Sequence, residues 1–269
     1  MKPEKLYVYM ITTILFLIPP LQVYSQGITA ITNPSEDVTL SFVQAGSIAR
    51  INYRQGDLVK VGDVLVQQDD TVEQIRLAQL EAQSQDTSKV KAAELTLKQR
   101  GVDLERMKAA GASVTPTEVD YAELNLQIAE LQLHVAEFEH EQAIKKYEEA
   151  KSQIERMRLK SPIDGRIEKI EIETGESVRA LDNVVRVVRT DTLWIDADVD
   201  LAQTAKLKYG DTAVVKFPAP NQITVDGMII FIPSVADAAS KTSKVRIQVP
   251  NKSNRPAGEQ VEVVFPGLK

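Results

Sequence analysis

The chain has 269 residues, of which 43% are hydrophobic and 26% charged, material for one large globular domain or two to three small ones rather than a disordered chain. A formal net charge of -6 gives no global electrostatic reason to approach phosphate, and nucleic acid is set aside as a partner. With no cysteine, disulfides, thiolate metal sites, cysteine nucleophiles and an acylated N-terminal cysteine are excluded together.

Residues 1–25 have the layout of a secretory signal peptide: Lys2 and Lys5, an apolar run from Leu6 to Ile18, Pro19-Pro20, then Val23 and Ser25 ahead of the expected cut. An uncleaved membrane anchor is the alternative, although the run is shorter than the ~20 residues of a spanning helix and a proline pair interrupts it. The rest of the chain is expected outside the cytoplasm.

Two stretches then repeat one another, "AGSIARINYRQGDLVKVGDVLV" from Ala45 and "DGRIEKIEIETGESVRALDNVV" from Asp164. A constant offset of 119 residues lays Gly46 on Gly165, Ile48 on Ile167, Ile51 on Ile170, Gly56 on Gly175 and Val59 on Val178. Alternating apolar and polar residues mark half-buried strands, and Gly46, Gly56, Gly165 and Gly175 mark turns where positive φ is expected. Residues 38–69 and 159–189 are thus two halves of one small sandwich. Neither can bury its apolar face alone.

Residues 70–158 separate the halves and are rich in Ala, Leu, Glu, Gln and Lys, which predicts two long helices joined near Ala109 to Val114. Thr71 with Gln74 opens the first; Thr115, Pro116 and Glu118 form a capping box for the second. At 1.5 Å per residue each arm of roughly 40 residues spans about 60 Å. The second helix carries two apolar rows on nearly opposite sides. One holds Leu124, Ile128, Leu131, Val135 and Phe138; the other holds Val119, Ala122, Leu126, Ala129, Leu133 and Ala136, and resumes after a stutter at Ala143. One row can bury against the first helix; the other, with Leu126 and Leu133, is either a weakly apolar, Ala-rich flank left in water or a surface for lateral packing on a neighbouring protomer. Residues 190–269 read as five short strands, "LWIDADVD", "TAVVKF", "GMIIFI", "KVRIQV" and "EQVEVVF", a compact antiparallel barrel.

Chemistry finds little footing. His134 and His140 lie six residues apart on a helix, about 240° around, and share no metal. In "DADVD", Asp196, Asp198 and Asp200 alternate with apolar residues, and the glycine and glutamate of a calcium loop are replaced by Leu201 and Leu207. No nucleophile elbow, P-loop or dinucleotide fingerprint appears, so the chain is read as no enzyme. The duplicated halves resemble biotinyl and lipoyl carrier domains, but "VQQDDT" stands where those carry a lysine, and no cofactor is expected.

In order, "LSFVQAGSIARINYRQGDLVKVGDVLVQQDD", "LKSPIDGRIEKIEIETGESV", "LWIDADVD" and "RPAGEQVEV" resemble the HlyD-family membrane fusion proteins, the periplasmic adaptor subunits of RND-type tripartite efflux pumps. The resemblance runs from about Val38 to the C-terminus. It implies a mixed β and α chain, a lipoyl-like β-sandwich interrupted by a long α-helical coiled-coil hairpin and followed by a β-barrel. It also implies a periplasmic adaptor held at the inner membrane by a partner or an uncleaved anchor, bridging an inner-membrane RND-type transporter and a TolC-like outer-membrane channel. The family forms homo-oligomers, hexamers or trimers of dimers, for efflux of drugs or other small toxic compounds. An ATP-driven type I secretion adaptor and a structural periplasmic coiled-coil protein are the alternatives. The family docks its channel through an Arg, a Leu and a Ser at the hairpin tip. Arg106, Ala110 and Thr115 stand in those places, with Gly111, Ser113 and Val114 between, in a loop about two residues short. The membrane-proximal domain of many relatives is expected to be absent, leaving transporter docking to the barrel and lipoyl surfaces.

Overall fold

The computed structural model describes residues 27–219 and 222–267, so the expected signal peptide lies outside the described residues. Pro34–Asp191 forms one compact unit and the segments flanking it another.

The first unit contains β1 (Ile28–Ser41), β2 (Gly46–Ile51), β3 (Leu58–Val59) and β4 (Val64–Gln68). The helices α1 (Thr71–Gln85), α2 (Ser88–Ala109) and α3 (Pro116–Arg156) follow, then β5 (Arg158–Lys160), β6 (Gly165–Ile170), β7 (Ser177–Val178) and β8 (Asn183–Asp200). β1 and β8 each contribute residues to both units. The 119-residue repeat is written into the backbone hydrogen bonds. Gly56 N–H donates to Ile167 O and Gly175 N–H to Ile48 O, both at 2.8 Å; Asn52 N–H donates to Leu65 O and Glu171 N–H to Val184 O, both at 2.9 Å. Each half lends its short strand to the other, β3 to β6 and β7 to β2. That exchange closes a shared core in which Phe42, Ile48, Leu65, Val66, Ile167, Val184, Val185 and Val187 are no more than 1% exposed. Burying each such side chain contributes about 1.5–3 kcal/mol.

Gly56 and Gly175 both take φ +89, a turn conformation that favours glycine. Gly46 and Gly165 do not, contrary to expectation: they open strands β2 and β6. Their lack of a side chain serves close approach, since a Cβ at Gly165 would lie 2.5 Å from Val188 O and one at Gly46 2.8 Å from Gln68 Nε2.

The insertion departs from the expected pair of helices. Its first arm is broken at Asp86–Thr87, because "SQDTS" strings together residues whose side chains compete for the backbone; the Asp86 carboxylate accepts Ser88 N–H at 2.9 Å. The first cap is also not Thr71: Asp70 takes the N-cap position, and Asp69 Oδ1 accepts both Thr71 N–H (3.1 Å) and Thr71 Oγ–H (2.6 Å). The second arm, α3, runs 41 residues, about 60 Å, from the Thr115–Glu118 capping box.

The inward face of α3 is an uninterrupted heptad, Ala122, Leu126, Ala129, Leu133, Ala136, His140, Ala143, Tyr147, Ala150 and Ile154, continued by Met157 at the C-cap, buried or half-buried throughout. The stutter does not exist, because His140 occupies the place where an apolar residue had been sought.

In the other unit α4 (Leu201–Thr204), β9 (Thr212–Lys216), β10 (Thr224–Phe231), β11 (Thr242–Pro250) and β12 (Gln260–Val264) follow β8. The order β1-β12-β9-β10-β11-β8, with β1 pairing β8 in addition, makes the barrel. β1, which the sequence reading lacked, therefore adds a strand to the five it had. Leu193, Ile195, Ala197 and Val199 point inward at 0% exposure, alternating with the aspartates of "DADVD". Among the described residues no helix is long and apolar enough to cross a membrane.

Candidate functional site

The hairpin tip is built by one helix stop and one helix start. Ala110 N–H donates to Arg106 O at 3.1 Å and to Met107 O at 3.2 Å as α2 ends; Gly111 then turns at φ +55 into a single 3₁₀ turn, Gly111–Ser113. Ser113 N–H returns to Ala110 O and Val114 N–H to Gly111 O, both at 3.2 Å. Thr115 closes the tip: its N–H donates to Glu118 Oε2 at 2.8 Å, and Glu118 N–H donates to Thr115 Oγ1 at 3.4 Å. The Thr115 backbone N–H, followed by its hydroxyl, holds the Glu118 carboxyl below its ordinary value.

Of the tip residues singled out from sequence, Ala110, Gly111, Ser113 and Thr115 lie together and exposed at the apex, and Val114 is half-buried. Arg106 lies a helical turn lower. There it lines a groove of about 360 Å³ with Met107, Glu118, Tyr121, Ala122 and Asn125. Tyr121, 64% exposed, is among the groove residues that sequence reading missed, with Arg100, Asp103, Met107 and Asn125. Its signal was an aromatic residue on a face where the heptad has no use for it.

Along the shaft the two apolar rows exchange their expected roles. Leu126 and Leu133 do not face outward: they lie half-buried on the inward row, Leu126 Cδ1 standing 3.9 Å from where a Cβ on Gly101 would be. Small residues decide this. Ala122, Ala129 and Ala136 let the helices approach closely, so the alanine row goes between them. The bulky row is left outside, with Leu124, Ile128, Leu131, Val135 and Phe138 45–68% exposed.

The sandwich turn that would carry a lysine holds Gln67 and Gln68 instead. Gln68, 2% exposed, donates from Nε2 to Gln44 O at 3.1 Å, and the chain passes directly into α1. His134 is exposed, and His140 Nδ1 is buried without a hydrogen-bond partner. In the barrel, Asp196 receives Arg246 through both carboxylate oxygens, at 2.7 and 3.0 Å, with the guanidinium 4.7 Å from the Trp194 ring centre; the hydrogen bond to Asp196 raises the arginine's pKa. Asp200 accepts Ala202 N–H and starts α4. These aspartates are thus occupied structurally. No group of three or more His, Cys, Asp or Glu among the described residues could hold a metal ion.

Residues 37–190 match the family model described as the RND MFP barrel-sandwich hybrid domain, and residues 192–264 match the CusB-like beta-barrel domain. The multidrug resistance protein MdtA of Xenorhabdus bovienii is 24% identical over 253 residues, which cover 88% of this chain and 59% of that protein. The multidrug export protein EmrA of Haemophilus influenzae is 25% identical over 215 residues, covering 67% and 55%. The chain thus spans about three fifths of the length of the curated relatives it matches. The crystal structure of MacA from Actinobacillus actinomycetemcomitans shares the fold, with a TM-score of 0.74 at 16% identity over 88% of this chain and 78% of that one. A lipoyl-like sandwich split by a hairpin and followed by a barrel, matched over more than half the chain by the first of these models, places this protein in the membrane fusion protein family of RND efflux systems.

Proposed function

We propose that this chain is a periplasmic adaptor that couples an inner-membrane RND-type transporter to a TolC-like outer-membrane channel, for efflux of drugs or other small toxic compounds. The observation that carries the reading is the hairpin itself. An arm of about 60 Å with an exposed, rigidly capped tip grows from the place where a carrier sandwich would present a lysine. Such an arm bridges an aqueous gap, and its tip residues Arg106, Ala110, Gly111, Ser113, Val114 and Thr115 meet the channel. The barrel and sandwich surfaces meet the transporter, and several copies stand as a homo-oligomer, a hexamer or trimer of dimers, whose hairpins wall a conduit. The adaptor does no chemistry of its own. It stays at the inner membrane through its transporter or an N-terminal anchor. Similarity to proteins named for multidrug export and resistance supports the cargo class.

The test is deletion and complementation. Loss of the gene should raise drug susceptibility, the full chain should restore resistance, and Thr115→Arg with Ala110→Asp should retain the transporter on co-purification while losing the channel and the resistance. Unchanged susceptibility to every toxic compound after deletion would refute the reading.

A further inference from the structure

The break in the first arm and His140 on the inward row of α3 stand at the same height. Asp86, the C-cap of the 15-residue α1, and His140, a similar stretch before the end of α3, both lie about 23 Å along the arm. Lys89 Nζ meets Glu139 Oε2 at 2.8 Å, which ties the two places together. The ionisable groups around His140 are therefore Asp86 and Lys89 on the first arm and Glu137, Glu139 and Glu141 on α3 itself. Of these, Glu139 is engaged by Lys89, and Glu141 by Lys145 at 2.6 Å.

The hydrogen bonding of the two places is complementary. His140 Nδ1 is buried without a partner, in a row whose neighbours are Ala136 and Ala143. Across from it, the start of α2 hangs on one carboxylate. Thr87 takes the N-cap position but its side chain makes no cap bond, and Asp86 Oδ1 is what accepts Ser88 N–H, at 2.9 Å. The Ser88 hydroxyl, then that N–H, then Lys89 and His140 hold the exposed Asp86 carboxyl below its ordinary value, so carboxylate and imidazole already interact electrostatically. A neutral imidazole leaves this carboxylate to the helix. An imidazolium does not: both its nitrogens are donors, and a buried charged donor needs an acceptor far more than a neutral one does.

We infer that His140 is a proton-operated trigger for the joint at Asp86–Thr87. On taking up a proton from solvent it draws the Asp86 carboxylate from Ser88 to its own Nδ1–H, and the first turn of α2 loosens while α3 stays continuous. The charge of a histidine changes between about pH 5 and pH 8, so the joint is capped at neutral pH and loose in mild acid. The inference does not depend on the adaptor reading. It concerns how stiff the arm is, whatever the arm meets.

The chain has 2 histidines and no cysteine, which makes the test direct. In the purified full chain labelled with nitrogen-15 at histidine, a titration from about pH 8 to about pH 5 should show His140 taking up its proton, with the exposed His134 as internal reference. Asp86→Asn, which can still accept Ser88 N–H, should weaken proton binding at His140 by about threefold or more and leave His134 unchanged. The Ser88 amide resonance should move with the His140 midpoint in the native protein and stand still over that range in His140→Gln. Spin labels on Gln83→Cys and Lys98→Cys, one on each side of the joint, should give a distance distribution that broadens in mild acid, in labelled chains diluted with unlabelled ones. It should stay narrow when His140→Gln is added. Helix content by circular dichroism at neutral pH checks that each variant folds. The inference is overturned if His140 takes up no proton over that range, if Asp86→Asn leaves its midpoint in place, or if the joint loosens equally in His140→Gln. An imidazole that simply turned out to solvent on protonation would give the second of these results.

Discussion

Leu181 occupies the place in the second repeat that Gly62 holds in the first, and the backbone is made to match: Leu181 N–H donates to Phe42 O and Gly62 N–H to Ser161 O, both at 2.8 Å. The glycine takes φ +91 without strain, but the leucine sits at φ +66 with its side chain 71% exposed, so it gains little burial for a left-handed conformation. Leu181→Gly should therefore raise stability by about 0.5–1 kcal/mol, the relieved strain exceeding the added chain entropy. Chemical denaturation reads this as a higher midpoint with unchanged slope. His140 is the polar member of an otherwise apolar heptad, and its Nδ1 is buried without a partner. His140→Leu removes an unsatisfied polar atom and fills the same space, so the hairpin should gain about 1 kcal/mol by thermal melting. A lower melting temperature would mean that the imidazole has a hydrogen-bonding role in solution.

The first arm of the hairpin shows what could and could not be read ahead of the structure. Composition gave its helicity, and Thr115-Pro116 with Glu118 gave the start of the second arm, because a capping box is a local pattern. The break at Asp86–Thr87 was missed, since neither proline nor glycine marks it. Its cause is the Asp86 carboxylate competing for Ser88, together with the inward row needing to advance from Ser84 through Thr87 to Val90 faster than one continuous helix allows. The assignment of Leu126 and Leu133 failed for a related reason: hydrophobicity ranks the bulky row first for burial, whereas close helix approach ranks alanine first. The Ser88 hydroxyl and then its backbone N–H hold the Asp86 carboxyl below its ordinary value, with smaller help from Lys89 and His140. A carboxyl lowered in the folded state contributes stability above its unfolded value and loses it as the pH falls through the folded one. Hairpin melting followed by circular dichroism should thus drop below about pH 4, and Asp86→Asn, which keeps the turn without the charge, should flatten that drop. An identical acid profile in the two proteins would remove Asp86 from the account.

At the scale of the whole molecule, the question is whether the sandwich depends on the arm it carries. The arm leaves and re-enters between adjacent antiparallel strands: Gln67 of β4 is paired with Arg158 of β5, and Gln68 N–H donates to Met157 O at 2.9 Å. Its two ends are therefore already as close as those of a β-hairpin, and the shared core drawn from both repeats lies entirely in the strands and the segments joining them. With the arm the base would lose Ile154, 3% exposed, the Gln153–Gln44 hydrogen bond and the Glu155 carboxylate that pairs with Arg158 and Lys160 on the surface. Losing the Ile154 side chain costs about 2–3 kcal/mol, which is a large part of the stability of a small domain but need not exceed it. Replacing Asp70–Arg156 by Asn-Gly, a sequence suited to a tight β turn, should accordingly leave a chain that unfolds cooperatively with strand content intact. It should also abolish the hairpin's helical signal. If the shortened chain were instead molten, with no cooperative transition, the helices would have to be counted as part of the fold's own foundation rather than as an arm mounted on a self-sufficient base.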